Sequence, residues 1–273
     1  MPWVSSGSQL PFVNACVRAT NDDFAFSHFK TTMEIVSVIG LAEPSYGFTM
    51  LSSSYNDISA SLSASLPASS ALSAALATIY ANFALNDTLG GSLYTLGTRF
   101  GPISGETLRY AGSTGMIVKA FGNLSGSTIV EFGPFVGGLA HSLLSYYTGS
   151  ISQYYMIDLP EVQDLSKKYF QTMSYTVTLP YDTASLNYDS ASAPSASNLF
   201  ISEYALTEYT EPDLTNYFKQ YVSQSAGFFI RSNFIDPSMY YGFVASCSVN
   251  FNVTASEEPK IRTPNVILIG LRK

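Results

Sequence analysis

Charge is scarce in this sequence. Of 273 residues, only 12% are Asp, Glu, Lys or Arg, against 46% hydrophobic. Disorder needs the opposite balance, because a charge-rich chain cannot bury enough apolar surface to offset its ordering entropy. A packed globular chain follows, either one large domain or a domain with an elaborated end. Cysteine is scarcer still. Cys16 and Cys247 are too few and too far apart for a disulfide framework or a Cys-rich zinc site. No apolar run approaches the ~20 residues of a spanning helix. No basic residue precedes Arg18, so no signal peptide is expected and a cytoplasmic location follows. The sequons at Asn86, Asn123 and Asn252 then carry little weight. Basic side chains are outnumbered 13 to 20, for a net charge of −7. Neutralising phosphates needs clustered Lys and Arg, so no nucleic-acid partner is expected.

The chain changes character near residue 125. Residues 1–125 read as a mainly helical region, and residues 126–273 as alternating strands and helices. In the first part, Phe24 to Ile39 reads as one or two helices. Residues 52–79 are Ser/Ala-rich, but Leu62, Leu66, Leu72, Leu76 and Ile79 recur at near-helical intervals, which predicts helix broken at Pro67. A Ser/Ala linker is the other reading of this stretch. In the second part, strands are predicted at 127–133, 154–158, 175–179, 198–202 and 227–231. Helices are predicted at 137–147, from Pro160 and from Pro212. Strands separated by helices imply a parallel α/β sheet with helices on both faces. Two late strands, 248–254 and 265–270, have no room for a helix between them and form a hairpin, so one of them runs antiparallel.

The strongest local signal is Glu131-Phe-Gly133-Pro134-Phe135-Val-Gly137-Gly138. It lies where a strand ends and a helix opens, the position at which open α/β sheets bind ligands. Asp158 lies 20 residues after Gly138, at the end of the second strand. A carboxylate there can accept hydrogen bonds from both hydroxyls of a ribose. A tight turn with a solvated Asp is the alternative. The dinucleotide pattern is not met, because Phe135 stands where the second glycine must admit a pyrophosphate, and the P-loop lysine is absent. Glu131 would repel a phosphate but suits a cation. S-adenosylmethionine carries an ammonium, a sulfonium and no phosphate, so electrostatics favours it.

These residues, with Ile157-Asp158-Leu159-Pro-Glu-Val162 and the closing hairpin, resemble a class I S-adenosylmethionine-dependent methyltransferase, and more specifically the sugar O-methyltransferase family. Phe26-Ser-His-Phe-Lys30, Asn86-Asp-Thr-Leu-Gly90, Thr107-Leu-Arg-Tyr110, Ile201-Ser-Glu-Tyr-Ala-Leu-Thr-Glu208, Glu257-Glu-Pro259 and Asn265 to Ile269 are similar to family segments, in the family's order. The matches run from about residue 22 to the C-terminus. Two departures stand out: the family loop has more glycine where Pro134 and Phe135 stand, and Glu203 replaces an Asn.

The resemblance implies a Rossmann-like sheet of seven strands, mostly parallel with a C-terminal antiparallel hairpin, behind an N-terminal helical cap. It implies S-adenosylmethionine as cofactor. The cofactor set is Arg109, Tyr110, Glu131, Gly133, Pro134, Phe135, Gly137, Gly138, Asp158, Leu159 and Ser202. Arg109 would hold the methionine carboxylate through paired hydrogen bonds, or else form a salt bridge within the fold. Methyl transfer to an alcohol also needs a proton acceptor. Glu208 is the first choice, although a carboxylate there could simply complement a helix dipole. Glu203, His141 and Asp87 are the other candidates, with His141 alternatively a packed histidine. Asp87 and Tyr204 are assigned to the substrate. No metal is expected, because no ligand cluster has diagnostic spacing. The acceptor is a small molecule or glycan, most simply a sugar hydroxyl. A small phenol-like acceptor and a non-catalytic binding protein stay open, as does the oligomeric state, with a homodimer compatible. Five basic and seven acidic residues precede 126, and eight and thirteen follow, so most of the acidity lies in the half assigned to a cationic cofactor.

Overall fold

A computed structural model describes residues 10–30, 44–66, 68–91, 95–189, 192–194, 196–208, 211–232, 237–257 and 265–273. Of residues 10, 11, 44–48, 207, 208, 211–214, 217 and 237–239 it describes the backbone only.

Ile129 faces one side of its strand and Val130 and Phe132 the other, so apolar side chains point both ways and the strand must be covered on both sides. It is β3 (Thr128–Phe132), an interior strand of a seven-stranded sheet among the described residues. The other strands are β4 (Gln153–Ile157), β5 (Leu186–Asn187), β6 (Leu199–Glu203), β7 (Gly227–Ser232), β8 (Phe251–Glu257) and β9 (Val266–Arg272). Their order is β5-β4-β3-β6-β7-β9-β8. The first five run parallel, and β9 enters antiparallel between β7 and β8. That order, mostly parallel with one reversed strand near the edge, is a Rossmann-like sheet. The predicted parallel sheet and closing hairpin are thus both present.

Alternation along the strands sorts the core into two layers. Ile129, Tyr154, Met156, Ile201 and Phe229 face one layer, with Leu139, Leu143, Val162 and Tyr169. Those four lie on α6 (Gly138–Tyr146) and α7 (Pro160–Thr176). Val130, Phe132, Ile157, Phe200, Phe228 and Ile230 face the other layer, with Phe243 and Cys247 of α9 (Pro237–Asn250). Each fully buried Phe or Leu contributes roughly 1.5–3 kcal/mol. A further helix, α8 (Glu211–Gln220), follows β6 where the Pro212 signal predicted it.

Before the sheet come α1 (Leu10–Asn21), α2 (Asp23–Ser27), α3 (Pro44–Ser63), α4 (Ser69–Ala84), the hairpin β1 (Thr95–Thr98) and β2 (Gly101–Ser104), and α5 (Gly105–Phe121). The Ser/Ala stretch is therefore two helices, one ending at Ser63 and the next starting at Ser69; Pro67, where the break was predicted, lies outside the described residues. A third cluster, with Met50, Ile58, Leu76, Tyr80 and Phe83, packs against Leu108 and Ala111 of α5. Tyr110, Ile117 and Val118 of the same helix join the sheet core. Thus α5 has two buried faces and ties the N-terminal helices to the sheet. The predicted helical segment 24–39 is helix at Asp23–Ser27, and residues 31–39 lie outside the described residues.

Two strand predictions are corrected. Residues 175–179 are not a strand: α7 continues to Thr176, and Tyr175 is 90% exposed. The stripe Val162, Leu165, Tyr169, Phe170 extends to buried Met173, which carries the helix a turn further. The third strand is instead Leu186–Asn187, beside Tyr154 and Tyr155. Residues 248–250 end α9, and the strand begins at Phe251. No helix among the described residues is long and apolar enough to cross a membrane.

Candidate functional site

The loop after β3 is built on left-handed backbone. Gly133, Phe135 and Gly137 have φ of +70°, +53° and +89°. Gly133 N–H donates to Ile157 O at 2.8 Å, which ties the loop to the end of β4. A Cβ on Gly133 would lie 2.0 Å from the Ala205 methyl, and one on Gly138 would lie 2.1 Å from the Tyr110 ring. These glycines let the turn wedge between the residues after β6 and helix α5. Pro134 does not disturb this path: its carbonyl accepts from Gly137 N–H at 2.9 Å.

Asp158 follows β4 at the same sheet edge. Its Oδ2 accepts from Phe135 N–H at 3.1 Å and its Oδ1 from Leu159 N–H at 2.8 Å. Burial pushes this carboxyl up to about 7, against the pull of those two amides. The residue keeps part of its surface open. A carboxylate has about four acceptor directions, so capacity remains for hydroxyl donors. Loop and Asp158 together therefore fit a nucleoside.

Glu131 has a different setting. It is buried against the sheet, and Tyr154 OH donates to its Oε2 at 2.8 Å. Burial raises its carboxyl to about 8, so the protonated form dominates near neutral pH. The negative charge that recommended Glu131 for a cation is then largely quenched.

Beside it lies a buried ionic layer. Glu131, Glu203 and Arg231 project to the same sheet face as Ile129, Ile201 and Phe229, beneath α5. Arg109 and Ser113, four residues apart on α5, both donate to Glu203. Arg231 Nε approaches Glu203 Oε1 at 3.6 Å and is fully buried. Arg109 Nη2 stands 3.8 Å from Glu106, whose Oε1 accepts from Tyr110 OH at 2.7 Å. The Arg109 guanidinium lies 4.4 Å from the Tyr110 ring centroid and 5.6 Å from that of Tyr204. Tyr204 is itself left-handed, at φ +64°. Ser202 Oγ is buried on the opposite sheet face without a hydrogen-bond partner among the described residues.

The other candidates are held elsewhere. His141 is fully buried; its Nδ1 meets Tyr181 OH at 2.6 Å and its Nε2 meets Asn82 O at 2.8 Å. Burial lowers its pKa to about 4, so it stays neutral. Asp87 accepts from Ser104 N–H, Ser104 Oγ and Thr107 Oγ1 at 2.6–2.7 Å, anchoring the start of α5. The neighbouring Asn86 accepts from Lys30 Nζ and Tyr169 OH, and Gly90 O accepts from Lys30 N–H at 2.9 Å. Three of the sequence segments that carried the resemblance thus meet in one network. Glu208 closes a short 3-10 turn after β6, and its side chain lies outside the described residues, as do Glu258 and Pro259.

Arg231, Ser113 and Tyr154 escaped the sequence reading. A signal existed for Arg231, because a cation two residues from Phe229 in a wholly apolar strand requires a buried partner. Among the described residues no three His, Cys, Asp or Glu side chains cluster as metal ligands would.

No protein-family model matches this chain, and no curated protein does. Solved structures resemble it in chain path. Mitomycin 7-O-methyltransferase MmcR aligns at 14% identity and TM-score 0.43, over 62% of this chain and 57% of its own. Magnesium protoporphyrin IX methyltransferase from Synechocystis PCC 6803, with bound S-adenosylmethionine, aligns at 14% and 0.45, over 60% and 78%. Human N-acetylserotonin methyltransferase aligns at 15% and 0.41, over 60% and 52%. The match thus spans little more than half of the first and third of these proteins.

Proposed function

We propose that this chain is an S-adenosylmethionine-dependent O-methyltransferase whose acceptor is a sugar hydroxyl, on a glycan or a nucleotide-linked sugar. The observation that carries the reading is Asp158, a partly open carboxylate at the end of β4, with one amide donor on each oxygen and the left-handed loop beside it. Asp158 would accept both ribose hydroxyls. Leu159 and the backbone of Gly133 to Gly138 would border the nucleoside, and Tyr110 would line its surroundings. Arg109, engaged by Glu203 through Nη1 but only loosely by Glu106 through Nη2, would hold the amino-acid carboxylate. The cofactor supplies a methyl group on a sulfonium; the protein's work is alignment and proton removal.

Glu208 is the proton acceptor in this scheme, on the likeness of the segment Ile201 to Glu208 to that of the family; Glu203, Asp87 and His141 already hold hydrogen bonds within the fold. Tyr204 would orient the acceptor. Residues 1–125 form the acceptor side of this scheme, and residues 126–273 the cofactor side.

The pair of rings beside Arg109 favours a second reading, a flat phenol-like acceptor. Screening sugars and phenols with a tritiated methyl donor separates the two; turnover of phenols alone discards the sugar. Glu208→Gln should lower kcat by about 10²–10⁴-fold while S-adenosylhomocysteine still binds. An unchanged kcat removes Glu208 from the scheme.

A further inference from the structure

Phe135 occupies backbone space that glycine ordinarily fills. A bulky residue at φ +53° is uncommon and persists where its surroundings over-determine it. Here the surroundings are aromatic. The Phe135 ring lies 5.7 Å from Phe12 of α1 and 6.2 Å, edge-on, from Phe29. Phe29 is 1% exposed and is fixed in turn by Phe26 at 5.5 Å and Tyr169 at 6.0 Å. Helix α1 is itself pinned to α7. Lys168 Nζ donates to Ala19 O and Thr20 O at the end of α1, at 3.3 and 3.2 Å, and to Asp23 at 2.8 Å. The same helix borders the site's carboxylate: Cys16 is pushed up to about 12, chiefly by burial and further by the negative charges of Asp158 and Glu161.

We propose that Phe135 is a positioning residue for the nucleoside cofactor. Gripped by Phe12 and Phe29, its ring holds the loop in the left-handed turn that keeps Phe135 N–H on Asp158 Oδ2. That bond sets the direction of the acceptor sites left on the carboxylate. The N-terminal helices therefore act on cofactor binding through an aromatic contact with the loop. The inference rests on the reading of Asp158 as the ribose-binding group.

The test is a double-mutant cycle on the full chain, with S-adenosylhomocysteine as the calorimetric probe. Phe12→Ala removes the grip and leaves the loop sequence intact. It should weaken binding about tenfold in the parent and less than about threefold in an Asp158→Asn background, because groups acting through one another are coupled. Phe12→Tyr, which keeps the ring, should stay within about twofold of the parent. Equal losses in both backgrounds, or no loss in a folded Phe12→Ala protein, overturn the proposal. Should Phe12→Ala fail to fold, Lys168→Met loosens α1 from a distance. It should give the same pattern at about threefold, and unchanged affinity overturns the proposal. A parent that binds no probe removes the cofactor reading and this inference with it. Binding without coupling removes the inference alone.

Discussion

Arg109 and Glu203 pair in the buried layer between α5 and the sheet, with Arg231 approaching the same carboxylate from β7. Two guanidiniums thus converge on one carboxylate away from water. Removing that carboxylate leaves both cations without it in a low-dielectric layer. Glu203→Leu should cost about 3–5 kcal/mol of folding stability, read from urea unfolding. A loss below about 1 kcal/mol, the range of surface pairs, would contradict this account of Glu203.

Glu131 makes stability fall with rising pH. Burial moves its carboxyl from 4.5 to about 8, so the folded chain holds a proton that the unfolded chain releases between those values. Where the folded state binds more protons, raising pH destabilises it. Asp158, raised from 3.8 to about 7, acts in the same direction. Glu131→Gln keeps an acceptor for Tyr154 OH and cannot ionise. Its melting temperature should vary less than the parent's between about pH 5 and pH 9, and should exceed it at the upper end. Parallel melting curves would count against a buried, protonated Glu131.

Gly133→Ala should be destabilising by about 1–3 kcal/mol, since its φ of +70° suits glycine and the new methyl would meet Ala205 at 2.0 Å. Ala205→Gly should recover part of the loss by removing the clash, leaving the backbone strain. Thermal denaturation of the single and double variants measures both contributions, and a neutral single variant refutes the wedge.

Asp87→Ala removes the acceptor of three hydrogen bonds at the start of α5. A cost of about 0.5–2 kcal/mol is expected, as for loss of a helix cap. Amide hydrogen exchange should accelerate first at Ser104 and Thr107. Unchanged protection there would mean that Asp87 does not anchor the helix.

The sheet was legible because its strands are apolar runs broken by glycine or helix-opening proline. The Gly133 to Gly138 turn and Asp158 were legible because their spacing follows from strand and helix lengths. The third strand was not: Leu186–Asn187 is two residues long and gives no periodic signal, while Tyr175 to Leu179 has strand-like composition but pairs with no strand among the described residues. The hairpin of β1 and β2 lies inside a region whose helical signals dominate. The ionic layer was invisible for another reason. Arg109, Ser113, Glu203 and Arg231 come from three elements: strand register sets Glu203 beside Arg231, and the packing of α5 brings Arg109 and Ser113 onto Glu203. For His141 the packed alternative is the one found, but sequence shows neither Tyr181 nor Asn82 beside it.

The most direct test of the central claim is calorimetric titration of the full chain with S-adenosylhomocysteine across pH. Binding should tighten as pH rises through about 7, where Asp158 loses its proton, and Asp158→Ala should weaken it at least about tenfold. No binding at any pH, or an Asp158→Ala variant that binds as the parent does, would contradict a nucleoside cofactor held at the end of β4.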